Sequence, residues 1–167
     1  QFFVNMTRDE RVMVGDTKAK TACAFKVRER LLELVEQKGV GFVVGLMRRV
    51  LEASAEGARR KVAQLNDGVY TCPIFFDVRG SQEGISRIHV TVTKKDDRIV
   101  VDLSGTSPPT QSYLNTRPHV IRSVLVGDLA QFLFSDLPAS AGVLAPFEIK
   151  APPNTCVNPQ IDVAIDA

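Results

Sequence analysis

The stretch "ISRIHVTVTKKDDRIVVDL", residues 85–103, decides the fold of this chain. Apolar and polar residues alternate along "ISRIHVTVT", and "RIVVDL" repeats a β-branched pattern after four charged residues. Such alternation is typical of strands with one buried face, and a turn as short as "KKDD" can join only antiparallel neighbours. The stretch therefore predicts an antiparallel β-hairpin.

A third strand precedes this hairpin. The segment "VYTCPIFFDV", residues 69–78, is rich in strand formers and is followed by the turn sequence "RGSQEG". It contains Pro73, which lacks the N–H that an interior strand must donate. We therefore expect a three-stranded antiparallel meander in which this strand lies at an edge or contains a bulge.

Further upstream, the apolar spacing changes from two residues to three or four, which predicts two helices. Asp16 is the expected N-cap of the first helix, which ends near Gly39 and should bury one face, while the second runs from about Phe42 to Leu65. With a glycine turn between them, the two helices are predicted to form an antiparallel helix pair.

The C-terminal part is predicted to be less regular. Residues Pro118 to Phe134 show helical spacing opened by a proline, and the Pro-rich remainder contains a short strand, "PFEIK". The ending "VNPQIDVAIDA" alternates like a strand and, with the start at Gln1, suggests an excerpt of a longer polypeptide. The predicted fold class is α+β in one segment, 1–167, with a helical part, 1–65, and a mainly β part, 66–167.

Composition excludes several classes of protein. A net charge of +2 without a basic block argues against nucleic-acid binding, and the longest apolar runs are too short to span a membrane. No secretory signal is visible, and the odd number of cysteines, Cys23, Cys72 and Cys156, favours reduced thiols in the cytosol. We therefore expect a cytoplasmic protein.

No motif in the chain indicates a catalytic site. With only two histidines and no close cluster of metal-binding residues, the sequence predicts no metal site, and neither a phosphate-binding loop nor a Gly-x-Ser-x-Gly turn is present. Residue chemistry alone favours strand-end hydrogen bonding over catalysis for Asp102 and Ser104. Catalytic residues remain unidentified.

The order of several motifs resembles the central part of the hydantoinase B/oxoprolinase family. The most specific are "VDLSGTSP" at 101–108 with Asn115 after it, the P-x-x-x-G spacing at 138–142, and "APPNTCVNP" at 151–159. "GDTKAK", "RERLLELVEQKG" and "AEGARRKVAQLNDGVY" extend the resemblance over nearly the whole chain.

The resemblance implies a segment of a subunit in an ATP-dependent hydantoinase, oxoprolinase, or acetone or acetophenone carboxylase. It further implies ATP and a divalent metal for the whole complex, a hydantoinase A-like partner subunit that handles ATP, and contacts with the remainder of the same subunit. In carboxylase relatives the metal ligands precede the helix that opens with "GDTKAK", so the resemblance places these ligands outside this chain. The chain should therefore be inactive alone. A non-catalytic scaffold subunit and a small α+β binding module are the alternatives.

The loop after the hairpin is the candidate site region. We expect Asp102, Gly105 and Asn115 to hydrogen-bond or pack against the third helix or the missing portions of the subunit, and to line the edge of the active-site cavity without performing chemistry. The candidates are Asp102, Ser104, Gly105, Thr106, Asn115 and Arg117.

Overall fold

A computed structural model describes residues 9–78 and 84–165. The chain divides into two compact units, Gln1–Arg48 and Arg49–Ala167, whose boundary falls inside the second helix. The predicted division into 1–65 and 66–167 remains a prediction. In the described residues, no helix combines the length and the hydropathy that a membrane-spanning helix requires.

Helix α1, Glu10–Lys38, begins earlier than predicted. Asp9 is the N-cap and accepts a hydrogen bond from the Val12 N–H, whereas the predicted cap, Asp16, lies within the helix. Gly39 ends the helix with φ of 84°, a conformation that favours glycine. The prediction that this helix buries one face is wrong for this chain: no residue of α1 is buried, and Phe25 is 68% exposed.

Helix α2, Val40–Ala63, is the second helix of the predicted pair. Its antiparallel packing on α1 stays a prediction. In the second unit, Ala58 and Val62 of α2 are fully buried in the main core cluster. They share it with buried side chains from the sheet and from the segment after the third helix: Ile99, Val101, Phe134 and Val143. Leu46, Met47 and Leu51 of α2, and Leu65 just after it, are exposed in this chain although they are apolar.

The sheet has four strands in the order β1-β2-β3-β4. They are β1 Gly68–Val78, β2 Gly84–Lys95, β3 Arg98–Asp102 and β4 Phe147–Lys150. The antiparallel meander is confirmed, with Lys95 paired to Arg98 across the turn. The predicted short strand also forms, and it pairs in parallel with β3, which makes the sheet mixed. Most of the predicted "RGSQEG" turn, residues 79–83, lies outside the described residues.

Pro73 lies at the sheet edge, as predicted, and the register explains why it is tolerated there. It is paired with His89 of β2. The N–H and C=O of His89 both point away from β1 and hydrogen-bond to the Thr106 hydroxyl. The Pro73–His89 pair is therefore a non-hydrogen-bonded pair, and the Pro73 nitrogen faces the open edge. No ladder hydrogen bond is lost.

A buried lysine ties the hairpin to the segment before β1. The Lys94 ammonium, almost completely buried, donates to the Asp67 carboxylate at 2.6 Å and to the Leu65 carbonyl at 2.6 Å. The same Asp67 oxygen accepts from the Asp96 N–H in the turn at 3.0 Å. The hydrogen bond from Lys94 is the main cause that lowers the pKa of the Asp67 carboxyl.

The third predicted helix is present as α3, Pro118–Phe132, with its proline in the first turn. A short 3₁₀ helix, Ala141–Leu144, follows and packs on α2. The hydroxyl of Ser54 lies 2.8 Å from the Pro138 carbonyl oxygen, and a side chain at Gly142 would overlap the Leu51 carbonyl. The P-x-x-x-G spacing is thus explained by a close approach of this segment to a helix.

The alternating C-terminal sequence does not form the predicted strand. Residues 159–165 pair with no strand within the described part of the chain, and residues 166–167 are not described. A period of two gives a strand only where a neighbouring strand can accept its hydrogen bonds. Here the Ala164 carbonyl instead accepts from the Asn115 side chain at 2.9 Å.

Candidate functional site

The candidate loop begins with a tight turn at the end of β3. The Asp102 carboxylate accepts a hydrogen bond from the Ser104 N–H at 2.8 Å. The Ser104 hydroxyl, followed by this N–H, holds the pKa of the Asp102 carboxyl below its ordinary value. Gly105 follows with φ of 85°, a conformation that side chains disfavour. These residues turn the chain back toward β2.

Two hydroxyl residues then extend the hydrogen bonding of β2 beyond the end of β3. The Thr106 hydroxyl oxygen accepts from the His89 N–H at 3.1 Å. The Ser107 N–H donates to the Arg87 carbonyl at 2.8 Å, and the Ser107 hydroxyl accepts from the Arg87 N–H at 2.9 Å. Side-chain oxygens thereby replace the carbonyls that a longer β3 would have offered.

The Arg87 side chain fixes the turn from the other side. Its guanidinium donates two hydrogen bonds to the Gly105 carbonyl, at 2.8 Å from Nη2 and 3.2 Å from Nε. A planar guanidinium that makes two such bonds constrains its acceptor in direction as well as in distance. The Gly105 backbone is therefore held by both its conformation and its partner.

Asn115 is the most constrained polar residue of the loop. It is only 2% exposed, and its Oδ1 accepts from the Thr110 N–H at 2.8 Å. Its Nδ2 lies 2.9 Å from the Thr110 carbonyl, 2.8 Å from the Ser112 carbonyl and 2.9 Å from the Ala164 carbonyl. With both donor and acceptor in use, Asn115 closes the 110–115 loop and joins it to the C-terminal segment.

The C-terminal motif 151–159 packs against this loop. The Cys156 N–H donates to the Ser107 carbonyl at 2.9 Å, and its carbonyl accepts from the Thr116 N–H at 2.7 Å. Arg117, the N-cap residue of α3, donates from its guanidinium to the Pro159 carbonyl at 2.7 Å. Two of the motifs that are distant in sequence are therefore hydrogen-bonded to each other.

A cavity of about 290 Å³ opens between the loop, the motif and the sheet. Its walls are mainly apolar side chains, with the Cys156 thiol among them, and burial raises the pKa of that thiol. A neutral, protonated thiol is consistent with a hydrophobic wall and not with a nucleophile. The lining residues are Phe76, Ile88, Leu114, Asn115, Thr116, Cys156 and Val157.

The titratable groups near the turn do not form a metal centre. Nδ1 of His89 is buried and has no hydrogen-bond partner among the described residues. A single nitrogen cannot hold a metal ion, and within 9–78 and 84–165 no three His, Cys, Asp or Glu side chains lie together in a way that could hold one. These residues do not fit the metal that the resemblance implies for the complex.

The structure brings the six predicted site residues into two groups. Asp102, Ser104, Gly105 and Thr106 form the turn beside β2, whereas Asn115 and Arg117 bond to the C-terminal segment. Of the six, only Asn115 is among the residues that line the cavity described above. The hydrogen bonds of Asp102, Gly105 and Asn115 run to the loop itself, β2 and the C-terminal segment. The contact expected with the third helix or with the rest of the subunit stays a prediction.

Sequence reasoning missed the contributions of Arg87, His89 and Ser107. The register of the hairpin is a signal for these residues. The two-residue turn pairs Thr91 with Asp102, and His89 and Arg87 therefore lie beside the residues that follow Asp102. The sequence predicts strands at Phe76 and Ile88, but nothing in the local pattern shows that these two residues face a cavity. Cys156, one of the three cysteines expected to be reduced, is a buried free thiol.

Comparison with known proteins gives these observations a family context. The family model for hydantoinase B/oxoprolinase matches residues 1–167. The δ subunit of acetophenone carboxylase from Aromatoleum aromaticum is 39% identical over 153 residues, which is 91% of this chain and 22% of that subunit. This chain therefore spans less than a quarter of that relative's length.

Two solved structures share the fold. An acetone carboxylase in its nucleotide-free state matches with a TM-score of 0.79 and 20% identity, over 93% of this chain and 22% of that one. An ATP-dependent caprolactamase from Pseudomonas jessenii matches with a TM-score of 0.74 and 21% identity, over 92% of this chain and 27% of that one. With the family model covering every residue, the chain belongs to the hydantoinase B/oxoprolinase family.

Proposed function

We propose that this chain is a segment of a hydantoinase B-type subunit in an ATP-dependent complex that carboxylates a ketone. The observation that carries the proposal is the 39% identity to the acetophenone carboxylase δ subunit across 91% of the chain. Hydrolysis of a cyclic amide is the second candidate, supported by the family assignment to hydantoinase B/oxoprolinase and by the shared fold with an ATP-dependent caprolactamase.

Both reactions need activation of an unreactive oxygen. An enol oxygen or an amide oxygen becomes part of a reactive group or of a leaving group once it is phosphorylated, and ATP supplies that phosphoryl group. In this proposal a hydantoinase A-like partner subunit handles ATP, and the complex is cytoplasmic. The divalent metal of the complex is bound elsewhere, because the described residues do not provide its ligands.

The role of this segment is structural support at a cavity margin. The loop from Asp102 to Arg117 is fixed by hydrogen bonds at both ends, and the hydrogen bonds of its polar groups run within the loop, to β2 and to the C-terminal segment. A loop whose polar groups are engaged in this way can position a wall and is not arranged as an acid or a base. We therefore assign Asp102, Ser104, Gly105, Thr106, Asn115 and Arg117 to the margin and not to the chemistry.

The test is reconstitution of the complete subunit with its hydantoinase A-type partner. ATP hydrolysis should be stimulated by a ketone together with bicarbonate, with acetophenone and acetone as the ketones tried, and metal analysis should find a divalent ion in the complex. Stimulation by hydantoin or 5-oxoproline alone would favour the cyclic-amide reaction. Assembly without stimulation by any of these compounds would indicate the scaffold alternative and contradict the proposal.

The segment alone provides a second measurement. Residues 1–167, purified by themselves, should show neither ATP hydrolysis nor conversion of ketones or cyclic amides. Sustained turnover that co-purifies with the segment and persists through a second purification step would contradict the assignment to a supporting role.

A further inference from the structure

The cavity beside Asn115 differs from the rest of the candidate site in its chemistry. Phe76, Ile88, Leu114 and Val157 contribute apolar walls, and the Cys156 thiol is kept neutral by burial. Asn115 has little hydrogen-bonding capacity left for a ligand, because its side-chain amide already bonds to four backbone groups. A ligand of this cavity would therefore be held by apolar contact and shape, not by charge.

The walls are held in place before any ligand enters. Phe76 and Ile88 lie on the paired strands β1 and β2. The Leu114 segment is closed by Asn115, and the 156–157 segment is bonded to Ser107 and Thr116. A preformed cavity loses less conformational entropy on binding than one that must be ordered by its ligand. This favours a small rigid ligand over one that reshapes the site.

We propose that this cavity binds the apolar arm of a small uncharged substrate, an aryl or branched alkyl group attached to a carbonyl carbon. The inference rests on the proposed function for the carbonyl, but the choice of an apolar arm comes from the walls alone. A volume of about 290 Å³ is large enough for such a group, since an apolar cavity of about 150 Å³ already accommodates benzene. The cavity would thus contribute to substrate selection without touching the reacting atoms.

Leu114 is the best position for a test because it lines the cavity and is only half-buried. In the complete complex without ATP, acetophenone and acetone are titrated by calorimetry against wild type, Leu114→Trp and Leu114→Ala. Leu114→Trp should weaken acetophenone binding at least about tenfold by filling the cavity, and should change acetone binding less than about threefold. Leu114→Ala should retain acetophenone.

The control is Val124→Trp, which adds the same ring at an exposed position on α3. It should leave both affinities unchanged. Equal affinities of wild type and Leu114→Trp for acetophenone, with the complex intact, would overturn the inference.

A measurement on the wild type avoids dependence on any variant. In the same titrations, the wild-type complex should bind acetophenone at least about tenfold more tightly than acetone, because only acetophenone has an aryl arm that the apolar walls can enclose. Equal affinities of the wild type for the two ketones would count against the proposal, as would a side chain of the longer subunit that fills the cavity and leaves acetophenone unbound.

These outcomes separate the cavity from the proposed reaction. Leu114-dependent binding of acetophenone in a complex that never carboxylates a ketone would leave the cavity assignment standing and refute the reaction. Ketone-stimulated ATP hydrolysis that Leu114→Trp leaves unchanged, with acetophenone and with acetone alike, would support the reaction and refute the cavity assignment.

Discussion

Asn115 shows how a single side chain can hold together segments that are far apart in sequence. Its amide bonds to Thr110 and Ser112 within the loop, and to Ala164 near the other end of the described chain. Buried amides are costly unless their hydrogen bonds are made, and here the partners are backbone groups that would otherwise also be unsatisfied. The residue therefore acts on the loop and on the C-terminal segment at once.

Replacement of Asn115 by alanine should lower the free energy of unfolding by about 2–3 kcal/mol, because several buried backbone groups lose their partner together. The matched control is Asn158→Ala, whose side chain donates one bond to the Ala151 carbonyl, and which should cost about 1 kcal/mol. Urea denaturation of the chain measures both. A loss within about 0.5 kcal/mol for Asn115→Ala would reduce the loop to an ordinary surface turn.

The Asp102 carboxyl should make the free energy of unfolding depend on pH in the acid range. Its folded-state pKa lies below the ordinary value near 3.8, so the ionised form favours folding, and its contribution is present above that value and lost as pH falls through the folded pKa. Asp102→Asn should therefore differ most from wild type at neutral pH and converge with it in acid. The measurement is the unfolding midpoint from about pH 2 to about pH 7, a range that spans the titration of the Asp102 carboxyl.

Ser104→Ala is the informative companion to this pH series. It removes the hydroxyl that is the main cause of the lowered Asp102 pKa and leaves the backbone N–H in place. Its pH dependence should lie between those of wild type and Asp102→Asn. A series in which Asp102→Asn and wild type run parallel at every pH would show that the carboxyl does not titrate differently on folding.

At the scale of elements, the contact between the 3₁₀ helix and α2 depends on the absence of a side chain. A Cβ at Gly142 would overlap the Leu51 carbonyl oxygen, which belongs to a helix and cannot move aside cheaply. Ser54 completes the contact with its hydroxyl, which lies 2.9 Å from the Val50 carbonyl and 2.8 Å from that of Pro138. Small residues at these two positions allow the elements to meet.

Gly142→Ala should therefore destabilise the chain by about 2–3 kcal/mol through overpacking. Gly127→Ala is the matched control, because Gly127 lies in α3 with no atom near the position of a new Cβ. That control should stabilise the chain by about 0.5–1 kcal/mol, since alanine favours the helical backbone. Thermal unfolding of the two variants distinguishes them, and equal effects of the same sign would contradict the packing argument.

At the scale of the whole molecule, the chain exposes more apolar surface than a self-contained domain of its size would be expected to expose. Helix α1 leaves Phe25, Val27 and Leu32 exposed, and the edge strand β1 exposes Tyr70, Ile74 and Phe75. Exposed apolar patches of this kind mark surfaces that associate with other protein. The relatives are several times longer than this chain, which provides a reason for such surfaces.

We expect residues 1–167 in isolation to self-associate, with an average mass by light scattering that rises with concentration. Replacement of Phe25 and Leu32 by lysine should reduce this association, because it charges an exposed helix face without altering a buried contact. Reversal of charge at Arg28 and Glu29, to glutamate and lysine, is the control and should have little effect. A monomer at all concentrations would show that these faces need no partner.

The parts of the fold that could be predicted from the sequence are those set by residues close to one another in the chain. The hairpin, the three helices and the edge position of Pro73 followed from periodicity and from the missing N–H of proline. The start of α1 did not, because Asp9 and Asp16 are equally good caps in sequence and the helical backbone simply continues through Gly15. The C-terminal alternation failed for the opposite reason: a strand requires a neighbour, and no local pattern reveals whether one is there.

The sequence by itself determined the α+β class, the antiparallel register of the meander and the family, since each depends on residues near one another in the chain or on motifs in a fixed order. Only the tertiary structure decided that the 101–108 and 151–159 motifs are hydrogen-bonded through Cys156, that Asn115 reaches Ala164, and that Phe76 and Ile88 line a cavity with Val157. These contacts join segments tens of residues apart, and their geometry is set by how the sheet and the loops pack together, which no single segment specifies.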